Sequence, residues 1–176
     1  MSVAPSCDDQ GLRDEARGVS ERLMQAGWQL VTAESCTGGW VAKTCTDLPG
    51  SSGWFDSGVV SYSNLAKARL LGVERATIAK YGAVSQETAA AMVRGIVSMP
   101  TLQAGLATTG IAGPSGGSDD KPVGLVCFAW ALPGRACVTE AVKFAGDREA
   151  IRRQSVLHAL ERLRELLDEA LSAINH

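Results

Sequence analysis

The sequence predicts an α/β fold in which a mixed, mostly parallel sheet lies between two layers of helices. Three observations carry this. Helix-like and strand-like segments alternate over most of the chain, the pattern of parallel strands joined by crossover helices. Near the C-terminal end, Val123 to Ala131 and Arg135 to Phe144 flank Leu132-Pro133-Gly134, which reads as an antiparallel hairpin. The chain has 176 residues, 45% hydrophobic and 20% charged, the size and balance of one soluble domain with a full core.

The elements follow in order. Met1 to Gln10 is polar, carries Asp8 and Asp9 and has no apolar run, so residues 1–11 read as a disordered leader and 12–176 as a single domain. Leu12, Ala16, Val19 and Leu23 recur at helical spacing, giving a helix from Leu12 to Gln25 that Gly27 ends. Trp28 to Ala33 is strand-like. Thr37 to Thr46 reads as a helix, closed by the breaker-rich Leu48-Pro49-Gly50-Ser51-Ser52-Gly53. Gly58 to Tyr62 is the next strand, and Asn64 to Leu71 a short helix stopped by Gly72. Ser85 is placed to cap a helix from Gln86 to Ser98, which Pro100 terminates. Gln103 to Thr109 is a strand that empties into the glycine-rich loop Gly110 to Pro122. After the hairpin, Asp147 caps a long helix with Val156, Leu160, Leu163, Leu167, Leu171 and Ile174 on one stripe.

Composition excludes several classes of function. A net charge of −2 argues against a nucleic-acid surface, which needs a clustered basic face. No segment approaches the roughly 18 continuous apolar residues of a membrane span. The five cysteines (Cys7, Cys36, Cys45, Cys127, Cys137) are scattered, with no C-x-x-C pair and no signal peptide, and read as reduced thiols in the cytoplasm. Neither histidine lies near a cysteine, so no zinc site is expected. No other metal or cofactor is expected for the chemistry read below.

The chemistry concentrates at Thr32-Ala33-Glu34-Ser35-Cys36-Thr37-Gly38-Gly39, where an apolar stretch runs into a serine and then a glycine pair. A serine at a strand-to-helix turn projects its Oγ from the sheet, and the N–H groups that follow can stabilise an oxyanion. The pattern is not the G-x-S-x-G elbow, and Ser35 also fits a plain helix cap. The two histidines, His158 and His176, lie near the C-terminus, which disfavours a Ser-His-Asp triad. The remaining base is a lysine held neutral by burial, and Lys67, one turn past the strand end Tyr62-Ser63-Asn64, is the candidate. If the two strands are parallel neighbours, Ser35 and Lys67 share an edge, and Tyr62 can relay a proton or steady the lysine. A solvated Lys67 is the alternative. Cys36 reads as packing.

Thr109-Gly110-Ile111-Ala112-Gly113-Pro114 follows a strand and suits an anion, though it matches neither G-x-G-x-x-G nor a Walker A loop. A mobile surface connection is the other reading. Lys121 and Arg148 are cations placed to meet a phosphate, and Arg148 opens the last helix. Arg152 and Arg153 read as that helix's solvated face.

These motifs, with Pro49-Gly50-Ser51-Ser52, Gly82-Ala83-Val84-Ser85, Lys121-Pro122-Val123-Gly124 and Gly146-Asp147-Arg148, occur in one order over about residues 12 to 170. Together they resemble the CinA C-terminal-domain family, also called nicotinamide-nucleotide amidases. The resemblance implies a three-layer α/β/α sandwich that hydrolyses nicotinamide mononucleotide to nicotinic acid mononucleotide and ammonia, a pyridine-nucleotide salvage step. It implies Ser35 as nucleophile, with Lys67 and Tyr62 replacing the histidine triad. Substrate contacts then fall on Thr37, Gly38, Gly50, Ser51, Thr109, Gly110 and Arg148, with N–H groups from Cys36 to Gly39 holding the oxyanion. It also implies a homo-oligomer, and the length here suits the form without the large N-terminal domain of some relatives. A penicillin-recognising serine hydrolase is the rival enzyme reading, but Ser35 is not followed by an S-x-x-K lysine. The alternative of another class is a non-catalytic nucleotide-binding or interaction module.

Overall fold

The computed structural model describes residues 7–97 and 102–174; residues 1–6, Pro100 and His176 lie outside them. Helix α1 (Asp9–Ala26) starts earlier than its apolar stripe suggests. The Asp8 carboxylate accepts from Gly11 N at 2.8 Å, and Asp9 pairs with Arg153 on the last helix. The acids that look like a polar leader are therefore the cap and first turn, and Asp9 to Gly11 are helical.

The chain continues as β1 (Gln29–Glu34), α2 (Trp40–Thr46), β2 (Phe55–Val60), α3 (Asn64–Leu71), α4 (Arg75–Tyr81), α5 (Gln86–Ile96), β3 (Gln103–Gly110), β4 (Leu125–Ala131), β5 (Val138–Lys143) and α6 (Arg148–Ile174). The five strands are ordered β2-β1-β3-β4-β5. β1 pairs in parallel with β2 and β3, while β4 is antiparallel to both its neighbours. The sheet is thus mixed, with β4 alone running against the other strands.

Side chains alternate across it with a period of two. Leu30, Leu106, Val126, Phe128 and Trp130 pack with α1, α2 and α6. Ala33, Ala107, Cys127 and Ala129 pack with α3 and α5 on the other face, completing the α/β/α sandwich. Trp130 fastens the long helix to the sheet, its Nε1 donating to Ala159 O at 3.1 Å. On the other face α5 meets α3 with no room for a side chain, since a Cβ on Gly95 would lie 1.8 Å from Leu71 O.

Helix α4 has no counterpart in the sequence reading, because none of its residues is fully buried and only Ile78 packs partly against the core, which leaves no apolar stripe. Strand β2 begins before and ends ahead of the expected Gly58 to Tyr62; as an exposed edge strand it lacks the alternation that marks a strand. No helix among the described residues is long and apolar enough to cross a membrane. The C-terminal ends of β1, β2 and β3 share one rim, the usual location of ligands in an open α/β sheet.

Candidate active site

Ser35 leaves β1 at that rim, its N–H donating to Thr108 O on β3 at 3.0 Å. One strand over, Ser61 N donates to Glu34 O at 2.8 Å, extending the β1–β2 pairing by one residue. The chain then turns into α3, whose first turn is capped by Ser63 Oγ. Lys67, one turn in, points back over the rim. Its Nζ lies 2.9 Å from Ser35 Oγ, 2.8 Å from Ser61 O and 3.4 Å from Tyr62 O.

Lys67 is only 1% exposed, and its contacts are a hydroxyl and two carbonyls. Burial pushes its pKa below the ordinary 10.5. A neutral amine has two N–H groups and one lone pair. The two carbonyls can take the N–H groups, which leaves the lone pair facing the Ser35 hydroxyl. The pair then has the geometry of a nucleophile and its base.

Ser35 does not cap α2. That helix begins at Trp40, after Gly38 and Gly39 turn the backbone through φ of 63° and 93°, a region other residues rarely enter. Glu34 does the capping. Its Oε2 accepts from Thr37 Oγ1 at 2.7 Å and from Gly39 N and Val41 N at 3.0 Å, and its Oε1 accepts from Ala42 N at 2.8 Å. A carboxylate at a helix N-terminus is favoured by both the hydrogen bonds and the dipole. Glu34 and Ser35 thus face opposite helical layers. The signal for Glu34 was an acid placed ahead of a glycine pair and a helix start.

The loop's donors are fewer than the sequence suggests. Gly39 N is held by Glu34, and Gly38 N donates to Ser35 O at 3.0 Å. The Thr37 hydroxyl is buried between Glu34 and Thr108 Oγ1, the latter at 2.8 Å, where it pins the loop rather than meeting a ligand. Arg152 is not a solvated residue either. Its Nε donates to Cys36 O at 3.1 Å and its Nη2 to Thr37 O at 3.0 Å, with the guanidinium 5.4 Å from the Trp40 ring centre. Arg153 pairs with Asp9 and Glu149 and lies over the same ring.

A cavity of about 240 Å³ brings together Ser35, Tyr62, Lys67, Thr109, Gly110 and Arg148. Lys67 and Arg148 are its charged lining, and no carboxylate joins them. Arg148 spans the mouth, with Nη1 donating to Gly113 O at 2.7 Å and Nη2 to the Tyr62 hydroxyl at 2.8 Å. The phenol of Tyr62 therefore engages the arginine; only its backbone carbonyl reaches Lys67. Thr109 Oγ1 donates to Ala83 O at 2.8 Å and holds the facing wall.

Thr37, Gly38, Gly50 and Ser51 are outside the cavity lining. Gly50 and Ser51 precede β2, whereas Ser35 follows the parallel β1, so a strand length of roughly 20 Å separates them. Lys121 is also elsewhere, donating to Tyr81 O at the end of α4. Cys36 lines the cavity, but burial pushes its thiol up to about 12, which keeps it protonated and poorly nucleophilic. His158 sits 2.9 Å from Glu140 and 5.0 Å from the Phe128 ring centre, packed between α6 and the sheet and outside the cavity lining. No three His, Cys, Asp or Glu side chains among the described residues are grouped to hold a metal.

Comparison with known proteins agrees with this architecture. Residues 13–167 match the CinA C-terminal domain. The nicotinamide-nucleotide amidohydrolase PncC of Escherichia coli (strain K12) is 45% identical over 155 residues, covering 88% of this chain and 94% of that protein. The protein of the same name from Pseudomonas putida is 48% identical over 151 residues, covering 86% and 94%. The crystal structure of the competence/damage inducible protein CihA from Agrobacterium tumefaciens matches with a TM-score of 0.85 at 38% identity, over 96% of this chain and 99% of that one. In sequence and in fold, the chain belongs to the CinA C-terminal domain family.

Proposed function

We propose that this chain hydrolyses the carboxamide of nicotinamide mononucleotide, with Ser35 as nucleophile and Lys67 as base. The observation that carries the reading is the 2.9 Å contact between Lys67 Nζ and Ser35 Oγ at the rim of the sheet. Relatives at 45% and 48% identity bear the name nicotinamide-nucleotide amidohydrolase.

Neutral Lys67 takes the Ser35 proton as Oγ attacks the carboxamide carbon. The oxyanion is met by the N–H groups of Cys36 and Thr37, since those of Gly38 and Gly39 are engaged within the loop. The Lys67 ammonium returns its proton to the departing nitrogen, ammonia leaves, and an ester to Ser35 remains. Water then attacks that ester while Lys67 accepts its proton, and the proton passes back to Oγ as nicotinic acid mononucleotide is released.

The Thr109-Gly110 loop and Arg148 hold the nucleotide, with Arg148 on the phosphate. Tyr62 orients Arg148 through its hydroxyl. Beyond the Thr37 N–H, the Thr37 hydroxyl and Gly38 act through the shape of the nucleophile loop, and Gly50 and Ser51 lie outside this chain's own cavity. The elements from α1 to α6 form one amidase unit. Self-association through the open edge of β2 goes with this reading, because Val60, Tyr62, Leu65 and Leu70 are exposed beside it. Light scattering of the purified chain tests that part, with a monomer as the opposing result. The free cysteines suit a reducing compartment such as the cytoplasm.

The deciding experiment mixes the purified chain with nicotinamide mononucleotide and measures ammonia. Stoichiometric release with nicotinic acid mononucleotide supports the proposal. Binding without turnover replaces it with a nucleotide-binding module.

A further inference from the structure

Three arginines further along α6 are paired with acids: Arg153 with Asp9 and Glu149, Arg162 with Glu165 and Glu169, and Arg164 with Glu15 and Asp168. Arg152 differs. It spends its donors on two consecutive peptide carbonyls, Cys36 O and Thr37 O, more than a hundred residues away in sequence. A charged guanidinium directed at the backbone immediately after Ser35 asks for a reason beyond surface solvation.

Peptide geometry supplies one. In a trans peptide the N–H points opposite to the C=O of the same unit. Holding Cys36 O toward α6 therefore turns Thr37 N–H away from α6. Holding Thr37 O likewise sets Gly38 N–H, which donates to Ser35 O at 3.0 Å. That carbonyl shares its peptide plane with Cys36 N–H. One guanidinium thus sets the direction of two N–H groups, Thr37 directly and Cys36 through Gly38. Glu34 fixes the tail of the same loop through Gly39, Val41 and Ala42, so the loop is held at both ends. The Trp40 ring lies beneath the guanidinium, 5.4 Å from its central carbon, and backs it on that side. A lysine cannot reproduce a planar two-donor fork.

We propose that Arg152 is a positioning residue that aims the Cys36 and Thr37 N–H groups at the oxyanion, an inference that rests on the hydrolytic reading above. It touches no substrate atom and works only through the backbone. Its charge also polarises the two peptides it binds, which strengthens their N–H groups as donors.

The test compares the full chain with Arg152→Lys, Arg152→Met and Arg152→Ala. With nicotinamide mononucleotide, kcat falls by about tenfold in the lysine variant and about a hundredfold in the methionine variant, the scale of a lost oxyanion donor. KM stays within about twofold, as it does when only transition-state contacts are lost. The pH midpoint of kcat/KM does not move, because Lys67 is untouched, and added guanidinium ion restores part of the kcat of Arg152→Ala. In amide hydrogen exchange, Cys36, Thr37 and Gly38 exchange faster in Arg152→Met while the strands stay protected. A folded Arg152→Met with wild-type kcat overturns the proposal. So does a raised KM with kcat intact, which would make Arg152 a substrate contact, or unchanged exchange at residues 36–38. The exchange measurement needs no substrate. A wild-type chain that releases no ammonia therefore counts against the hydrolytic reading, while exchange still decides whether Arg152 holds the loop.

Discussion

Lys67 Nζ and Ser35 Oγ lie 2.9 Å apart, although 32 residues of chain separate them. Their meeting follows from parallel neighbours. β1 delivers the serine and β2, paired beside it, delivers the start of α3, so both side chains reach the same rim without a long loop. Among the described residues, no carboxylate contacts the lysine to hold its proton.

Ser35→Ala abolishes ammonia release and leaves the fold intact. The hydroxyl contributes a single hydrogen bond to Lys67, worth about 1 kcal/mol, so melting shifts by only a few degrees. Turnover near the wild-type rate would move the nucleophile elsewhere.

Lys67→Met lowers kcat by at least about a hundredfold, the scale of a lost general base. In the wild type, kcat/KM rises with pH as Lys67 loses its proton, with a midpoint below 10.5 because burial disfavours the ammonium. Stability carries the same sign. Between the lowered folded pKa and the ordinary value the unfolded chain binds the extra proton, so stability rises with pH through that window. Urea unfolding at about pH 7 and about pH 10 should therefore favour the wild type over Lys67→Met more strongly at the higher pH. A difference that shrinks instead would mean Lys67 is not lowered.

Tyr62→Phe removes the hydroxyl that Arg148 donates to at 2.8 Å. The KM for nicotinamide mononucleotide rises by about tenfold, equivalent to about 1.4 kcal/mol, while kcat changes little. Nicotinamide riboside, which lacks the phosphate, shows no such change. A fall in kcat for both compounds would return Tyr62 to proton transfer.

Gly95→Ala destabilises the chain by about 1–3 kcal/mol, the usual cost of overpacking, because its Cβ would sit 1.8 Å from Leu71 O. Denaturant midpoints measure this. Leu71 ends the helix that carries Lys67, so activity falls with stability; an unchanged midpoint would show that α5 can shift freely.

Much of this was legible in the sequence, for local reasons. Helix α3 matches its expected span because Ser63 caps it and Gly72 stops it. The apolar stripe of α6 is buried at Val156, Leu160, Leu163, Leu167 and Leu171. The nearness of Ser35 and Lys67 follows from the parallel pairing of their strands, which the alternation of helices and strands in the sequence already suggests. What escaped was either unpatterned or long-range. α4 has no fully buried residue and sets only Ile78 partly against the core, so periodicity has little to register. Arg152 binds backbone carbonyls, which any residue could supply, so no motif marks its partners. Glu34 looked like part of a serine motif when it is the cap of α2. The Tyr62 phenol turns to Arg148 because the two elements converge only in the folded chain. Gly50 and Ser51 carry a family-like pattern yet sit at the other end of the strands.

Glu34 and Ser35 are adjacent, yet one serves the α2 layer and the other the α3 layer. Strand pleating makes that division, and it has no tolerance for a frame error. Deleting one residue from the middle of β1 would turn the acid toward the α3 layer and the hydroxyl toward α2. The helix would then lose its cap and Lys67 its hydroxyl partner. Such a shortened chain could keep a packed sheet and still hold Ser35 apart from Lys67, so the number of residues in β1 is itself part of the site's geometry.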